Sequence, residues 1–194
     1  MRAFVAVNLD GNLRQAIGEA QGSLRRTGGD VKWVRPDNMH LTLKFLGWVD
    51  DARLAPIVEA VRPAVEAEAP FRLRIEGTGG FPSATAPRVI WVGVKEGAEE
   101  LARLAERVEA ALEPLGFDRE ARGFSPHVTV GRCRSAGGRD GLAAEIRAMR
   151  ERPFGEMEVR RVELMRSDLR PTGPIYTSQH AFDLAGAPTE QGEG

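Results

Sequence analysis

Two histidines in this chain carry a threonine two places on. His40 and Thr42 lie in "NMHLTLKFLG", residues 38–47, and His127 and Thr129 lie in "SPHVTVGR", residues 125–132. The chain holds three histidines and eight threonines, so two such spacings exceed what scatter would give. In an extended strand, residues i and i+2 share a face. Each motif therefore presents an imidazole and a hydroxyl together, while Leu41 and Leu43, or Val128 and Val130, anchor the opposite face. An ordinary imidazole pKa near 6.5 lets one ring of a pair be neutral while the other is protonated. Two such rings around one substrate supply a general base and a general acid. The hydroxyls add hydrogen-bond donors for an anionic oxygen between them. This chemistry suits in-line displacement at phosphorus, where one group activates the nucleophile and the other protonates the leaving oxygen.

One site requires that two distant strands meet, and an internal repeat supplies the means. His127 follows His40 by 87 positions; the same offset carries "FVAV" (4–7) onto "WVGV" (91–94) and Ile17 onto Leu104. Each half reads strand, helix, His-x-Thr-x strand, helix, strand. If the halves pack about a pseudo-twofold axis, the imidazoles face each other across a groove. Alternation makes "AFVAVNL" a strand. Leu13, Ala16, Ile17, Ala20 and Leu24 then recur at helical spacing until Gly28 and Gly29. A short strand follows at "VKWV". A second helix starts near Asp51 and is expected to kink or end at Pro63. Strands at "FRLRIEG" and "RVIWVGV" flank "TGGFPSATAP", the expected boundary between halves. A third helix carries Leu101, Leu104, Ala105, Val108 and Leu112. After "HVTVGRC" comes a helix with Leu142, Ile146 and Met149, then strands at "EVRRVELMRSDL" and "IYTSQHAFDL". One α+β domain over 1–184 is expected, with pseudo-repeats at about 1–80 and 88–184 and terminal elements open to exchange. A small polar tail, 185–194, is expected to be disordered.

Composition narrows the partners. Hydrophobic content of 42% and charged content of 28% suit a globular protein, and a net charge of −1 announces no nucleic-acid or membrane partner. With no long basic stripe for tracking a backbone, a small ligand footprint fits better than an extended duplex. The single cysteine, Cys133, excludes an internal disulfide and fits a reducing cytoplasm. "MRAFVAVNLD" is too short an apolar run for a signal peptide, and no segment is long enough to span a bilayer. A monomer is expected.

Other residues join the candidate site. Arg132 follows the second motif, and a guanidinium suits a phosphate. Strand parity turns it away from His127, so it needs a bulge to face inward. Lys44 shares parity with His40 and Thr42 and would add positive charge to the groove. Phe45, Trp33 and Tyr176 are candidates for stacking on a base. His180 lacks a threonine at i+2 and reads as structural. No histidine pair has the close spacing of a zinc site, so neither metal nor cofactor is expected.

The stretches "VKWVRPDNMHLTLKFLG" and "FSPHVTVGR" resemble the two-histidine (2H) phosphoesterase superfamily. Within it, they resemble the RNA 2',3'-cyclic phosphodiesterases historically called 2'-5' RNA ligases. The likeness runs from "RAFVAVNL" to "YTSQHAFDL" and includes "VELMRSDLRPTGPIY". The resemblance implies a bilobal α+β fold, a pseudo-twofold duplication with two mainly antiparallel sheets facing a central groove and helices outside. It implies metal-independent opening of a cyclic phosphate to a 2'-phosphate, with His40 protonating the departing 3' oxygen and His127 activating water. Thr42, Thr129 and Arg132 would bind the phosphate. Three alternatives stay open: ligation by the reverse reaction, a small cyclic nucleotide as substrate, and a nucleotide-binding module without turnover.

Overall fold

Ala3 to Val7 are buried without interruption, so the first strand is covered on both faces. In the computed structural model, which describes residues 1–171 and 173–185, that strand lies deep in a single sheet. The elements in chain order are β1 (Arg2–Asn8), α1 (Gly11–Arg26), β2 (Val31–Trp33), β3 (His40–Trp48), α2 (Leu54–Glu66), β4 (Phe71–Phe81) and β5 (Val89–Glu96). There follow α3 (Ala98–Leu112), β6 (His127–Cys133), α4 (Arg139–Ala148), β7 (Pro153–Val159), β8 (Arg161–Arg170) and β9 (Gly173–Asp183).

Hydrogen bonding runs through the order β7-β4-β5-β6-β3-β1-β8-β9, with β2 also on β6, and the pairings are antiparallel. The two expected sheets thus join edge to edge, at a seam of one ladder pair, Leu41 opposite Val128. β5, α3 and β6 each begin 87 residues after β1, α1 and β3. The strand order is symmetric about the seam: β3 and β6 at its centre, then β1 and β5, β8 and β4, β9 and β7. β4 follows the first half in sequence but pairs with β5, and β8 follows the second half but pairs with β1.

Helix α1 starts at Asp10, whose carboxylate accepts from the Leu13 amide at 2.8 Å. The apolar sides of the helices join Val5, Val7, Leu41, Ile90, Val92 and Val128 in one core. The other face of β1 and β8 holds a small separate cluster of Phe4, Ala6 and Met165, against which Tyr176 packs. That second face is the groove.

Three expectations change. Pro63 lies inside α2, which runs on to Glu66. It is exposed and near the helix end, so the missing N–H forfeits little, and its carbonyl still accepts from Ala67 at 3.2 Å. "TGGF" belongs to β4, where the glycine face lets a ring lie flat: a Cβ on Gly79 would stand 2.1 Å from the Trp91 indole. Only residues 82–88 link β4 to β5. "EVRRVELMRSDL" is two strands, β7 at one end of the order and β8 next to the other end. A single residue, Arg160, separates them, so the sheet must curl until its ends approach. Leu184 donating to the Arg160 carbonyl and Ala185 donating to that of Glu68 hold this closure. From residue 186 the expected disordered tail lies outside the described residues.

Candidate active site

The seam builds the site. Antiparallel pairing of Leu41 with Val128 sets His40 opposite Thr129 and Thr42 opposite His127. Leu41 and Val128 are fully buried on the core side, so all four functional side chains project from the groove side. The histidines are diagonal neighbours, a relation of on the order of 7–8 Å between backbones. Because Leu41 and Val128 are themselves related by the 87-residue offset, the local twofold of this pair is the twofold of the repeat.

Both rings are oriented by the backbone just before them. His40 Nδ1 lies 2.8 Å from the Asn38 carbonyl and His127 Nδ1 lies 2.7 Å from that of Ser125. A carbonyl can only accept, so each Nδ1 carries a proton and donates it, leaving each Nε2 for chemistry. Thr42 Oγ1 stands 3.0 Å from His40 Nε2. His40 stacks on Phe4 at 4.7 Å and meets the edge of Tyr176 at 5.3 Å. Burial between these rings pushes the His40 pKa below 6.5; the Asn38 carbonyl opposes this, and the positive fields of Arg14 and His127 add to it. His127 meets the edge of Phe81 at 5.0 Å.

Bulges decide what lies beyond the motifs. In β3, Val5 faces Lys44 while Ala6 faces Thr42, so Leu43 is an extra residue. The slip turns Lys44 to the core side. There it is 3% exposed, bonds Glu109 of α3 at 2.9 Å and donates to the Asp118 carbonyl. Lys44 is therefore not a groove residue. Phe45 takes that place, opposite Phe4 and 60% exposed. In β6, Ile90 faces Gly131 while Trp91 faces Thr129, so Val130 is the extra residue, again 87 positions on. This is the bulge Arg132 needs: it stands opposite Val89, on the side of Thr129 and His127. Among the described residues it has no carboxylate partner. Each bulge is held by a buried polar side chain and a helix of the opposite repeat. Gln21 of α1 donates to the carbonyls of Val130 and Val34 at 2.8 and 2.7 Å, and Lys44 is gripped by α3.

Tyr176 closes the groove over Phe4, 5.0 Å away, and its hydroxyl pKa is raised by burial against the lowering fields of Arg132 and Arg2. Trp33 is not a stacking platform: opposite Gly131 on the core side, it lies under the Arg25 guanidinium at 5.5 Å. His180 faces Leu164 and sits 3.4 Å from Arg62, away from the groove. Arg14 escaped sequence reasoning. Its field reaches His40, and its buried Nε has no hydrogen-bond partner among the described residues. Its place on the side of α1 bearing Leu13 and Ile17 hid it among core positions. Phe4 was legible only as the 87-residue counterpart of Trp91. Among the described residues, no three His, Cys, Asp or Glu side chains group as metal ligands would.

Fold and site together define a two-lobed antiparallel α+β protein with paired His-x-Thr strands on one groove. The family model of the 2'-5' RNA ligase superfamily matches residues 11–171, and the chain belongs to that superfamily. An RNA 2',3'-cyclic phosphodiesterase of Methanothermobacter thermautotrophicus is 40% identical over 184 residues, 95% of this chain and 99% of its own. One from Archaeoglobus fulgidus is 42% identical over 183 residues, 94% of this chain and 100% of its own. A crystal structure of a Thermus thermophilus protein superposes with a TM-score of 0.79 at 36% identity, covering 96% of this chain and 99% of that one.

Proposed function

We propose that this chain is a metal-independent RNA 2',3'-cyclic phosphodiesterase that opens a terminal cyclic phosphate to a 2'-phosphate. The observation that carries this reading is the Leu41–Val128 seam, which gathers two imidazoles and two hydroxyls on one groove face. The relatives named RNA 2',3'-cyclic phosphodiesterase support the substrate class. One histidine takes a proton from water as the water oxygen bonds to phosphorus. The P–O3' bond breaks, and the other histidine gives its proton to O3'. Thr42, Thr129 and Arg132 donate to the non-bridging oxygens, and Phe45 and Tyr176 flank the nucleoside.

Burial favours the neutral ring at His40, which suits the base and leaves His127 as the acid. This order is the reverse of that implied by the family resemblance. Run backwards, the same pair joins a cyclic phosphate end to a 5'-hydroxyl through a 2'-5' bond. No helix among the described residues is long and apolar enough to cross a membrane. We place the chain, as a monomer, in the cytoplasm, where its single cysteine stays reduced.

An oligoribonucleotide ending in a 2',3'-cyclic phosphate, incubated in excess EDTA, tests the reading. The expected product end is a 2'-phosphate, and His40→Ala or His127→Ala slows its formation by about two to four orders of magnitude. Full activity in the double variant would exclude the pair, and loss of activity in EDTA would require a metal.

A further inference from the structure

The groove does not stop at the catalytic rows. Two bulges in β3, at Leu43 and Leu46, give its groove face the series His40, Thr42, Phe45, Trp48. The register across β1, β8 and β9 then aligns Trp48, Arg2, Ser167 and Tyr176 in one row, outward of Phe45 and Phe4. Trp48 is 78% exposed and Phe45, next on the same face, 60%, so the two rings form one exposed apolar patch, the kind that marks a binding surface. Beside it an open depression of about 490 Å³ is lined by Arg2, Trp48, Ser167, Leu169 and Arg170 among others. Arg2 and Arg170 have no carboxylate partner among the described residues, whereas Arg166 at the same depression is paired with Asp168 at 2.9 Å. The field of Arg2 reaches the Tyr176 hydroxyl, so this cation borders the catalytic groove.

Exposed aromatic faces alternating with unpaired arginines are what single-stranded nucleic acid needs. Bases stack on the rings regardless of sequence while guanidinium groups take the phosphates. Across the Leu46 bulge Phe45 and Trp48 face Phe4 and Arg2, two residues apart on β1, roughly 7 Å at about 3.3 Å per residue, which leaves room for one further nucleotide. We propose that the row of Trp48, Arg2 and Ser167 is a subsite for the nucleotide preceding the cyclic-phosphate end of a single-stranded RNA. Its base lies on Trp48 and its phosphate against Arg2. The inference rests on the phosphodiesterase reading and deepens it: the substrate is an RNA strand and not a free cyclic nucleotide.

The test compares kcat/KM for a trinucleotide ending in a 2',3'-cyclic phosphate with that for a nucleoside 2',3'-cyclic monophosphate, using the full chain. The wild type is expected to prefer the trinucleotide. Trp48→Ala, which removes an exposed ring and no core contact, should lower that preference about 5- to 100-fold, and Trp48→Phe should keep most of it. Arg2→Gln should lower it too, and flatten the dependence of log KM on log salt by about 0.7, the single-strand value for one phosphate. A ratio unmoved in Trp48→Ala and Arg2→Gln would overturn the subsite. So would self-association of the wild type, seen by sedimentation and lost in Trp48→Ala with the ratio unmoved, which would give the patch to a second copy. A wild type equally active on both substrates refutes the subsite alone, whereas one inactive on both refutes the phosphodiesterase reading beneath it.

Discussion

Replacing Lys44 with methionine separates a groove lysine from one buried behind the sheet. The ammonium lies 2.9 Å from Glu109, with side-chain exposures of 2% and 17%. Without it, Glu109 keeps the Glu120 amide at 3.0 Å, while the Asp118 carbonyl loses its ammonium donor. Removing a hydrogen bond to a charged group costs about 1.5–3 kcal/mol. Breaking a fully buried ion pair from one side costs about 3–5 kcal/mol. The retained amide and partial exposure of Glu109 favour the lower range, about 2–3 kcal/mol. For a chain of this size that lowers Tm by roughly 4–12 °C. Thermal unfolding followed by circular dichroism measures this, alongside kcat/KM on the cyclic-phosphate oligonucleotide, which should fall by less than about tenfold because Lys44 acts only through the bulge it holds. The acid limb adds a second check. Burial alone would raise the Glu109 pKa, but the Lys44 and Glu120 hydrogen bonds outweigh it and hold the group below 4.5. Its stabilising share is complete above that value and is lost as pH falls through the lowered native pKa. Wild-type Tm should therefore drop more steeply below pH 4.5 than that of Lys44→Met. An unchanged Tm together with a tenfold or greater loss of kcat/KM would return Lys44 to the groove and refute the bulge argument.

Tyr176→Ala opens the site around His40 and relieves its burial, so its pKa should climb toward 6.5. If His40 is the base, the acidic limb of the kcat/KM profile moves to higher pH; movement of the alkaline limb instead would make His40 the acid. Arg132→Gln should reduce kcat/KM about 10- to 100-fold through its lost phosphate contact, with Arg132→Lys recovering only part. Gln21→Met frees the Val130 carbonyl at the bulge beneath Arg132, so its loss in kcat/KM should be largely absorbed in the double variant with Arg132→Gln. Additive losses would mean that Gln21 does not act through the bulge. Arg14→Gln removes one of the positive fields on His40 and should raise that ring's pKa by NMR titration; no change would place Arg14 out of reach.

By itself the sequence determined the two His-x-Thr strands, the 87-residue repeat that unites them, and the apolar sides of the helices. Each is a local periodicity, and local periodicity follows directly from residue spacing. Lys44, Phe45 and Arg132 were a different matter. Simple alternation gave Lys44 the groove and denied it to Arg132, and both assignments reversed when Leu43 and Val130 bulged. A bulge is decided by which partner strand a residue must face. Here it is held by Gln21 and Glu109, reaching from helices of the opposite repeat. The same holds for Arg2 and Trp48, unremarkable along the chain and brought to the groove only by register and curl. Tertiary structure alone decided which side chains beyond the motifs face the groove, because the facing of a strand residue belongs to the pair of strands and not to either one.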